Sequence, residues 1–228
     1  MAQTLVIGIA ASLGTFALTA VFVRWGNIGL RDVGALPSVK SPLRFAGGCG
    51  IGILLVCLHA GIERFVGHTH WIRGPTISLG GVGLMLLGYF ALSCREELAF
   101  HGYPLRVLAR LTGLWGAQAI VAGAFIAEHV AGGWSWERAL AGAGVGSLLF
   151  GMASLATRGL AMPIGIHAAW NFGDWMRGSK ETPGVWTPLV DPGFEGNARL
   201  VAQLSYIVVM LGATAVFWWW YRRHGEET

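Results

Sequence analysis

The sequence predicts an all-α fold, a polytopic membrane bundle of seven or eight helices. Of its 228 residues, 54% are hydrophobic and only 12% are charged, whereas about 25% would be charged in a soluble domain. Apolar runs long enough to cross a bilayer core, which takes about 20 residues, recur along the chain. The 35 glycines are typical of membrane helices that pack closely. We therefore expect a multi-pass protein of a bacterial or archaeal cell membrane.

Seven apolar segments can be placed along the chain in order. They cover residues 4–23, 45–62, 76–94, 114–131, 137–157, 159–175 and 200–221. The stretch 96–111 is compatible with a helix but is too polar to be assigned from hydropathy alone. The helix count is eight if this stretch is a separate helix and seven if it is not. We expect the helices to form a single transmembrane domain over residues 1–228.

The polar connections and the ends of the chain complete the predicted organisation. Residues 24–44 and 177–199 contain prolines and are predicted to be loops, and the chain has no Lys or Arg before its first apolar run, which indicates a retained span. The formal net charge of +4 is scattered over short connections. This distribution indicates a lipid bilayer as partner and gives no reason to expect nucleic acid. The glycine-rich faces can pack within one chain or between two, which leaves the oligomeric state open.

The first group of ionisable residues at membrane depth is the segment EELAFHG, which follows an apolar run directly. Glu96 and Glu97 are adjacent, and His101 lies four residues after Glu97 on the same helical face. Two neighbouring carboxylates in a low-dielectric site resist ionising together, so one of them can accept a proton near neutrality. The alternative is a charged helix start at the membrane surface.

Two further groups lie in the apolar segments FIAEH and HAAWN. Phe125 precedes His129 by four residues, and this histidine is either a hydrogen-bonded packing residue or a catalytic one. His167 and Asn171 are stacked on one helical face, where two donors aimed at one point would suit a developing oxyanion. The alternative is a polar clasp between two membrane helices.

Two other polar residues are expected to support the structure. Asp174 lies three residues beyond Asn171 and is expected at an interface or behind the site residues. His59, near the end of the second apolar segment, is interpreted as structural.

Taken in order, EELAFHG, FIAEH and HAAWN resemble the three signatures of the CAAX protease and bacteriocin-processing family, the intramembrane proteases related to the Ras-converting CAAX prenyl endopeptidases. The resemblance covers about residues 80–175, which we expect to be the catalytic core. The matching residues are Glu96, Glu97, Phe125, His129, His167 and Asn171. One position departs from the pattern, because His101 stands where the family usually has an arginine, and histidine titrates near neutrality.

The resemblance implies an intramembrane endopeptidase that hydrolyses a peptide bond with glutamate-activated water. Glu96 would be the general base, and His129 would hold and polarise the water. His167 and Asn171 would stabilise the tetrahedral oxyanion. The implied substrates are prenylated C-terminal peptides of the CAAX type or other small membrane-associated peptides.

The remaining residues of the matched set have supporting parts in this mechanism. Glu97 belongs to the catalytic set and would orient Glu96, together with His101. Phe125 would be a further supporting residue.

A metal and a non-enzymatic role are the alternatives. Glu96, His129 and His167 could hold zinc or another divalent metal with an open position for water. No HExxH helix is present in the sequence, so a metal-independent site is preferred and no cofactor is firmly predicted. The same residue types could also serve a transporter, a proton relay or an inactive binding scaffold. A protease needs them around one cavity, whereas a relay would string them across the bilayer.

Overall fold

The computed structural model describes residues 2–224, which are mostly helical. The α-helices are α1 (Ala2–Trp25), α2 (Ser41–Phe65), α3 (Leu79–Glu96), α4 (Tyr103–Ala131), α5 (Trp136–Arg138), α6 (Val145–Thr157), α7 (Ala161–Met176) and α8 (Glu195–His224). Two π-helical segments, Glu97–Gly102 and Ala139–Gly144, join α3 to α4 and α5 to α6 without interruption. Residues 2–224 therefore contain six continuous helices.

Five of these helical stretches in residues 2–224 are long and apolar enough to cross a membrane. They are Leu5–Trp25, Ser41–Phe65, Leu79–Ala131, Trp136–Thr157 and Glu195–His224. The α-helical membrane class is thereby confirmed, whereas the count of seven or eight helices is not. The helices predicted at 76–94 and 114–131 are parts of one continuous stretch of 53 residues that includes the polar segment 96–111. The backbone departs from helical geometry within this stretch at Gly102, with ψ of −112°, and at Gly113, with φ of 73° and ψ of 175°.

Two short strands, which the sequence analysis did not predict, connect the ends of α2 and α7. β1 (Thr69–Arg73) and β2 (Trp186–Val190) pair antiparallel, with Thr69 opposite Val190 and Arg73 opposite Trp186. β2 lies in the region 177–199 that was predicted to be a loop. The indole nitrogen of Trp71 donates to the carbonyl of Arg177 at 3.0 Å. The strand pair therefore holds the chain that follows α7 against the end of the bundle.

The apolar core is centred on α6, whose side chains are mostly buried. The buried cluster combines Leu149, Phe150, Met152 and Ala153 of α6 with Leu55, Met162, Ile166, Trp170, Met210 and Phe217 of α2, α7 and α8. Because every helix surface at this point is covered by another helix, polar groups there have only one another as partners.

Small residues allow the backbones of α2 and α7 to pack directly against each other. A Cβ atom on Gly48 would collide with the carbonyl oxygen of Met162, and one on Gly52 would lie 2.6 Å from the carbonyl oxygen of Ile166. On α7, a Cβ on Gly165 would likewise collide with the backbone of α2. The close packing expected from the glycine content is thus seen at Gly48 and Gly52, and it fixes the α7 backbone that bears His167.

We expect Gly48→Ala to destabilise the fold by about 1–3 kcal/mol, because the added methyl group forces α2 and α7 apart. Gly50→Ala is the matched control on the same helix, since nothing lies within 4 Å of its Cβ position. That control should be neutral or stabilising by up to about 1 kcal/mol, the helix-propensity gain of alanine. Thermal unfolding of the detergent-solubilised protein measures both. Equal midpoints for the two variants would contradict the close helix contact.

Candidate active site

Glu97 is the most enclosed acidic residue of the site, at the start of the first π-helical segment. Its side chain is fully buried. One carboxylate oxygen lies 2.8 Å from Nδ1 of His101 and the other lies 2.9 Å from Nδ1 of His167. A carboxylate can only accept, so Nδ1 of each imidazole carries the donated proton. Both oxygens are therefore occupied by protein donors, and the predicted pairing of Glu97 with His101 is confirmed.

His101 links Glu97 to α6 and is itself fully buried. Its Nε2 lies 3.0 Å from the hydroxyl of Ser147, which donates to the unprotonated ring nitrogen. The carbonyl of His101 accepts bonds from Arg106 and from the Ser154 hydroxyl, each at 2.8 Å. Since the π-helical segment changes the regular hydrogen-bond pattern, these side chains supply the carbonyl with partners.

Glu96 has a different environment from its neighbour. Its side chain is 12% exposed, and Oε1 accepts a bond of 2.8 Å from Arg95. The same Arg95 nitrogen lies 2.7 Å from Oε1 of Glu128, so a permanently charged guanidinium bridges α3 and α4. The other oxygen of Glu96 lies 3.5 Å from Nε2 of His167. Arg95 was not selected from the sequence, although a basic residue beside an acidic pair at the end of an apolar run is a readable signal.

His129 is held with one ring nitrogen available. Its Nδ1 donates to the carbonyl of Phe125 at 2.9 Å, so in the neutral ring Nε2 is the acceptor. Among residues 2–224, no hydrogen bond occupies this Nε2. The ring packs edge-on against Phe125 and Trp134, with centroid distances of 4.5 and 4.8 Å. Phe125 is buried and also contacts the rings of His101 and His167, so it spaces the three imidazoles apart.

His167 and Asn171 lie on one face of α7, as predicted from their spacing. Phe150 stacks on the His167 ring with a centroid distance of 4.2 Å and an interplanar angle of 13°, which fixes the ring plane. The side-chain oxygen of Asn171 accepts a bond of 2.8 Å from Lys180, on the chain after α7. His167 and Asn171 therefore have defined orientations before any substrate binds.

A cavity of about 330 Å³ brings three of the five predicted catalytic residues together, namely His129, His167 and Asn171. Phe125 also lines it. Glu96 and Glu97 lie behind this wall and reach it through His167, at the distances of 3.5 and 2.9 Å given above. The three motifs, EELAFHG, FIAEH and HAAWN, are thus adjacent in space although they are about 30 to 70 residues apart in the chain.

The opposite wall of the cavity contains a buried ion-pair network that the sequence analysis missed. Arg177 donates to Asp174 at 2.9 and 3.0 Å, to His59 at 2.7 Å, and also to Glu63. Since Nδ1 of His59 must accept from Arg177, its Nε2 donates to the carbonyl of Ala202 at 2.9 Å. His59 and Asp174 therefore line the cavity as well as support the structure. The spacing of His59 and Glu63 on one face of an apolar helix was the available signal.

A metal does not fit the side chains as they are arranged. Within residues 2–224, no three His, Cys, Asp or Glu side chains form a group that could hold one metal ion. Nε2 of His167 lies 3.5 Å from Glu96, but His129 does not complete a set with these two residues. The zinc ligand set considered from the sequence is therefore not assembled.

Comparison with known families places the site in context. Residues 78–173 match the family model described as Type II CAAX prenyl endopeptidase Rce1-like. The match covers 96 of the 228 residues, and over this segment the chain is similar to that family. The matched segment contains all three motifs and nearly coincides with the expected catalytic core, so the predicted resemblance is confirmed. Searches of curated proteins and of solved structures found no match.

The CAAX endopeptidase family is a peptidase family, and this supports a peptidase assignment at the family level. The long apolar helices agree with an integral membrane protein. The bacterial or archaeal origin of that membrane stays a prediction.

The different environments of the two glutamates lead to a stability prediction. Glu97→Gln should lower the free energy of unfolding by about 1–3 kcal/mol, because the glutamine amide group would face an imidazole N–H, one donor against another. Glu96→Gln should cost less, since its side chain retains an oxygen for Arg95. Thermal unfolding in detergent compares the two variants. A Glu97→Gln protein as stable as Glu96→Gln would contradict the closed hydrogen-bond arrangement around Glu97.

Proposed function

We propose that this protein is an intramembrane endopeptidase that hydrolyses a peptide bond with water activated by Glu96. The observation that carries the proposal is the contact of 3.5 Å between Glu96 and Nε2 of His167, a residue that shares one cavity with His129 and Asn171. Convergence on one cavity favours a peptidase over a proton relay, in which the same groups would be distributed along the membrane normal.

Glu96 is suited to act as the general base because its two oxygens have separate tasks. Oε1 accepts a hydrogen bond from Arg95, which holds the carboxylate in place. Oε2 takes a proton from the attacking water. Nε2 of His129, which is unprotonated, accepts the second water hydrogen and so positions the nucleophile.

The peptide carbonyl is expected beside His167 and Asn171. As the water oxygen bonds to the carbonyl carbon, the amide N–H groups of Asn171 donate to the developing oxyanion. The C–N bond then breaks, and the proton taken up by Glu96 passes to the amine nitrogen, either directly or through Nε2 of His167. The products are an amine and a carboxylic acid, and the acid then releases the second water proton to solvent to become a carboxylate. Glu97 accepts from Nδ1 of His167 and thereby stabilises the imidazolium that such a transfer forms.

Arg95 supplies the permanent positive charge that the departure at position 101 removes from the motif. His101 donates one hydrogen bond to Glu97 without having to be protonated, while Arg95 contacts Glu96 itself. The function of the site is therefore compatible with a histidine at position 101.

The proposed substrates are prenylated C-terminal peptides of the CAAX type, with other small membrane-associated peptides as the next candidates. The cavity of about 330 Å³ lies at the lower end of the usual range for ligand pockets, about 300–1,000 Å³. That volume suits a short extended peptide segment and excludes a folded domain. Family membership of residues 78–173 supports the CAAX type.

Removal of the base or of the water-positioning group should abolish turnover. We expect Glu96→Gln and His129→Ala to lower kcat by about 10²–10⁴-fold, the usual contribution of general acid–base groups. His68→Ala is the matched control, because this histidine pairs with Asp191 outside the cavity. Purified protein should be assayed on matched panels of prenylated and unprenylated peptides. Equal turnover by wild type, Glu96→Gln and His129→Ala would reject the assignment.

Metal removal provides a separate test of the water mechanism. Turnover should survive prolonged treatment with a strong chelator, since no group of metal ligands is assembled among residues 2–224. Elemental analysis of the same preparation should accompany the assay. Loss of activity on chelation with recovery on addition of zinc would replace this proposal with a zinc-dependent one.

A further inference from the structure

We infer that Lys180 is a positioning residue that holds the side-chain amide of Asn171 with its N–H groups toward the reaction. This inference rests on the proposed function, because it assigns the oxyanion donor to Asn171. Lys180 lies outside the three motifs, on the connection between α7 and β2, and nothing in the sequence pattern selected it.

The orientation of the Asn171 amide follows from the chemistry of its partner. Nζ of Lys180 lies 2.8 Å from the Asn171 side chain. An ammonium group has three donors and no acceptor, so the atom facing it must be the amide oxygen. Among residues 2–224, no hydrogen bond occupies the amide nitrogen of Asn171. Both residues line the cavity, so the two N–H groups of Asn171 remain available there.

The backbone turns back at the end of α7, and this turn places the ammonium group of Lys180 next to that helix. The amide of Ser179 donates to the carbonyl of Asp174 at 2.9 Å. Gly178 has a φ of +77°, which glycine adopts without strain. The indole of Trp175 donates to the carbonyl of Pro183 at 3.0 Å, which closes the turn. The side chain of Lys180 is only 21% exposed and has Asp174 at 3.8 Å as its ion-pair partner.

A free asparagine amide would work less well than this fixed one. The two ends of the amide are nearly equal in size, so without a partner the group can turn its oxygen toward the substrate carbonyl. An oxygen in that position would repel the developing oxyanion instead of stabilising it. Placing a cation at this depth costs free energy of desolvation. That cost is consistent with Lys180 having a specific task that a neutral residue would not perform.

The protonation of Lys180 gives the inference a pH signature. Burial lowers the pKa of Lys180 from its ordinary value. The charged groups around it, from α3, α5 and the end of α7, are Glu96, Arg138, Asp174 and Arg177. A neutral amine can accept as well as donate, so loss of the proton allows Asn171 to turn over. Activity should therefore fall on the alkaline side, at a pH below the ordinary lysine pKa of about 10.4.

The experiment is a double-mutant cycle with Lys180→Met, Asn171→Ala and the combined variant. We expect Lys180→Met alone to lower kcat about tenfold with little change in KM, because only a transition-state contact is disturbed. In the Asn171→Ala background the same change should have no further effect. Lys180→Arg should retain most activity and shift the alkaline limb of the kcat profile upward, since arginine stays charged. Lys40→Met, at the chain's other lysine, is the matched control.

Each outcome of the cycle decides the inference. An equal loss from Lys180→Met in both backgrounds would overturn it, and so would a loss confined to KM. An alkaline limb that does not move in Lys180→Arg would also overturn it, even if Lys180→Met failed to fold by its thermal midpoint. These failures are distinct from failure of the proposed function, which would show as turnover in Glu96→Gln equal to wild type or as no turnover in wild type. The latter result would overturn both.

Discussion

The arrangement of the site depends on one carboxylate, Glu97. It accepts an imidazole N–H on each oxygen and is not exposed to solvent. In the interior of a membrane protein an ionised carboxylate is tolerated only when its acceptor positions are filled. These two bonds connect the π-helical segment to α7 and, through His101 and Ser147, to α6. Because Nδ1 of His167 is committed to Glu97, its Nε2 must face Glu96. The orientation of the His167 ring is thus fixed by Glu97, a residue that does not line the cavity.

Two adjacent glutamates serve different purposes because the helix changes its winding between them. Glu96 ends α3 and Glu97 begins the π-helical segment. The enclosed carboxylate has both oxygens occupied, whereas Glu96 has one oxygen held by Arg95 and the other beside His167. Identical side chains thereby become a fixed acceptor and, in the proposed mechanism, a base able to take a proton. Environment separates their roles, as it does in other sites with paired carboxylates.

Spacing within one helix predicted the local parts of the site, such as the contact of Glu97 with His101 and the shared face of His167 and Asn171. The ordered motifs also predicted which distant segments would meet. Hydropathy failed at 96–111, because buried polar pairs lower the apolar score of a segment that is nevertheless inside the bundle. Arg95, Lys180 and the partners of Arg177 were not predicted. Local spacing gave a signal for Arg95 and for the pair of His59 and Glu63. Their contacts with Glu128 and Arg177, however, join different elements, and a single sequence carries no signal for such pairs.

With a histidine at position 101, the permanent positive charge beside the two glutamates is on Arg95 instead. An arginine there, as the resembled family usually has, would place a permanent cation behind Glu97. Here the imidazole satisfies Glu97 as a neutral donor, and the permanent cation is Arg95, which bridges Glu96 and Glu128. Arg95 contacts Glu96, the proposed base, whereas the side chain at position 101 contacts Glu97. The pair of glutamates therefore keeps one permanent positive charge beside it, at Oε1 of Glu96, while Oε2 is the oxygen proposed to take the proton.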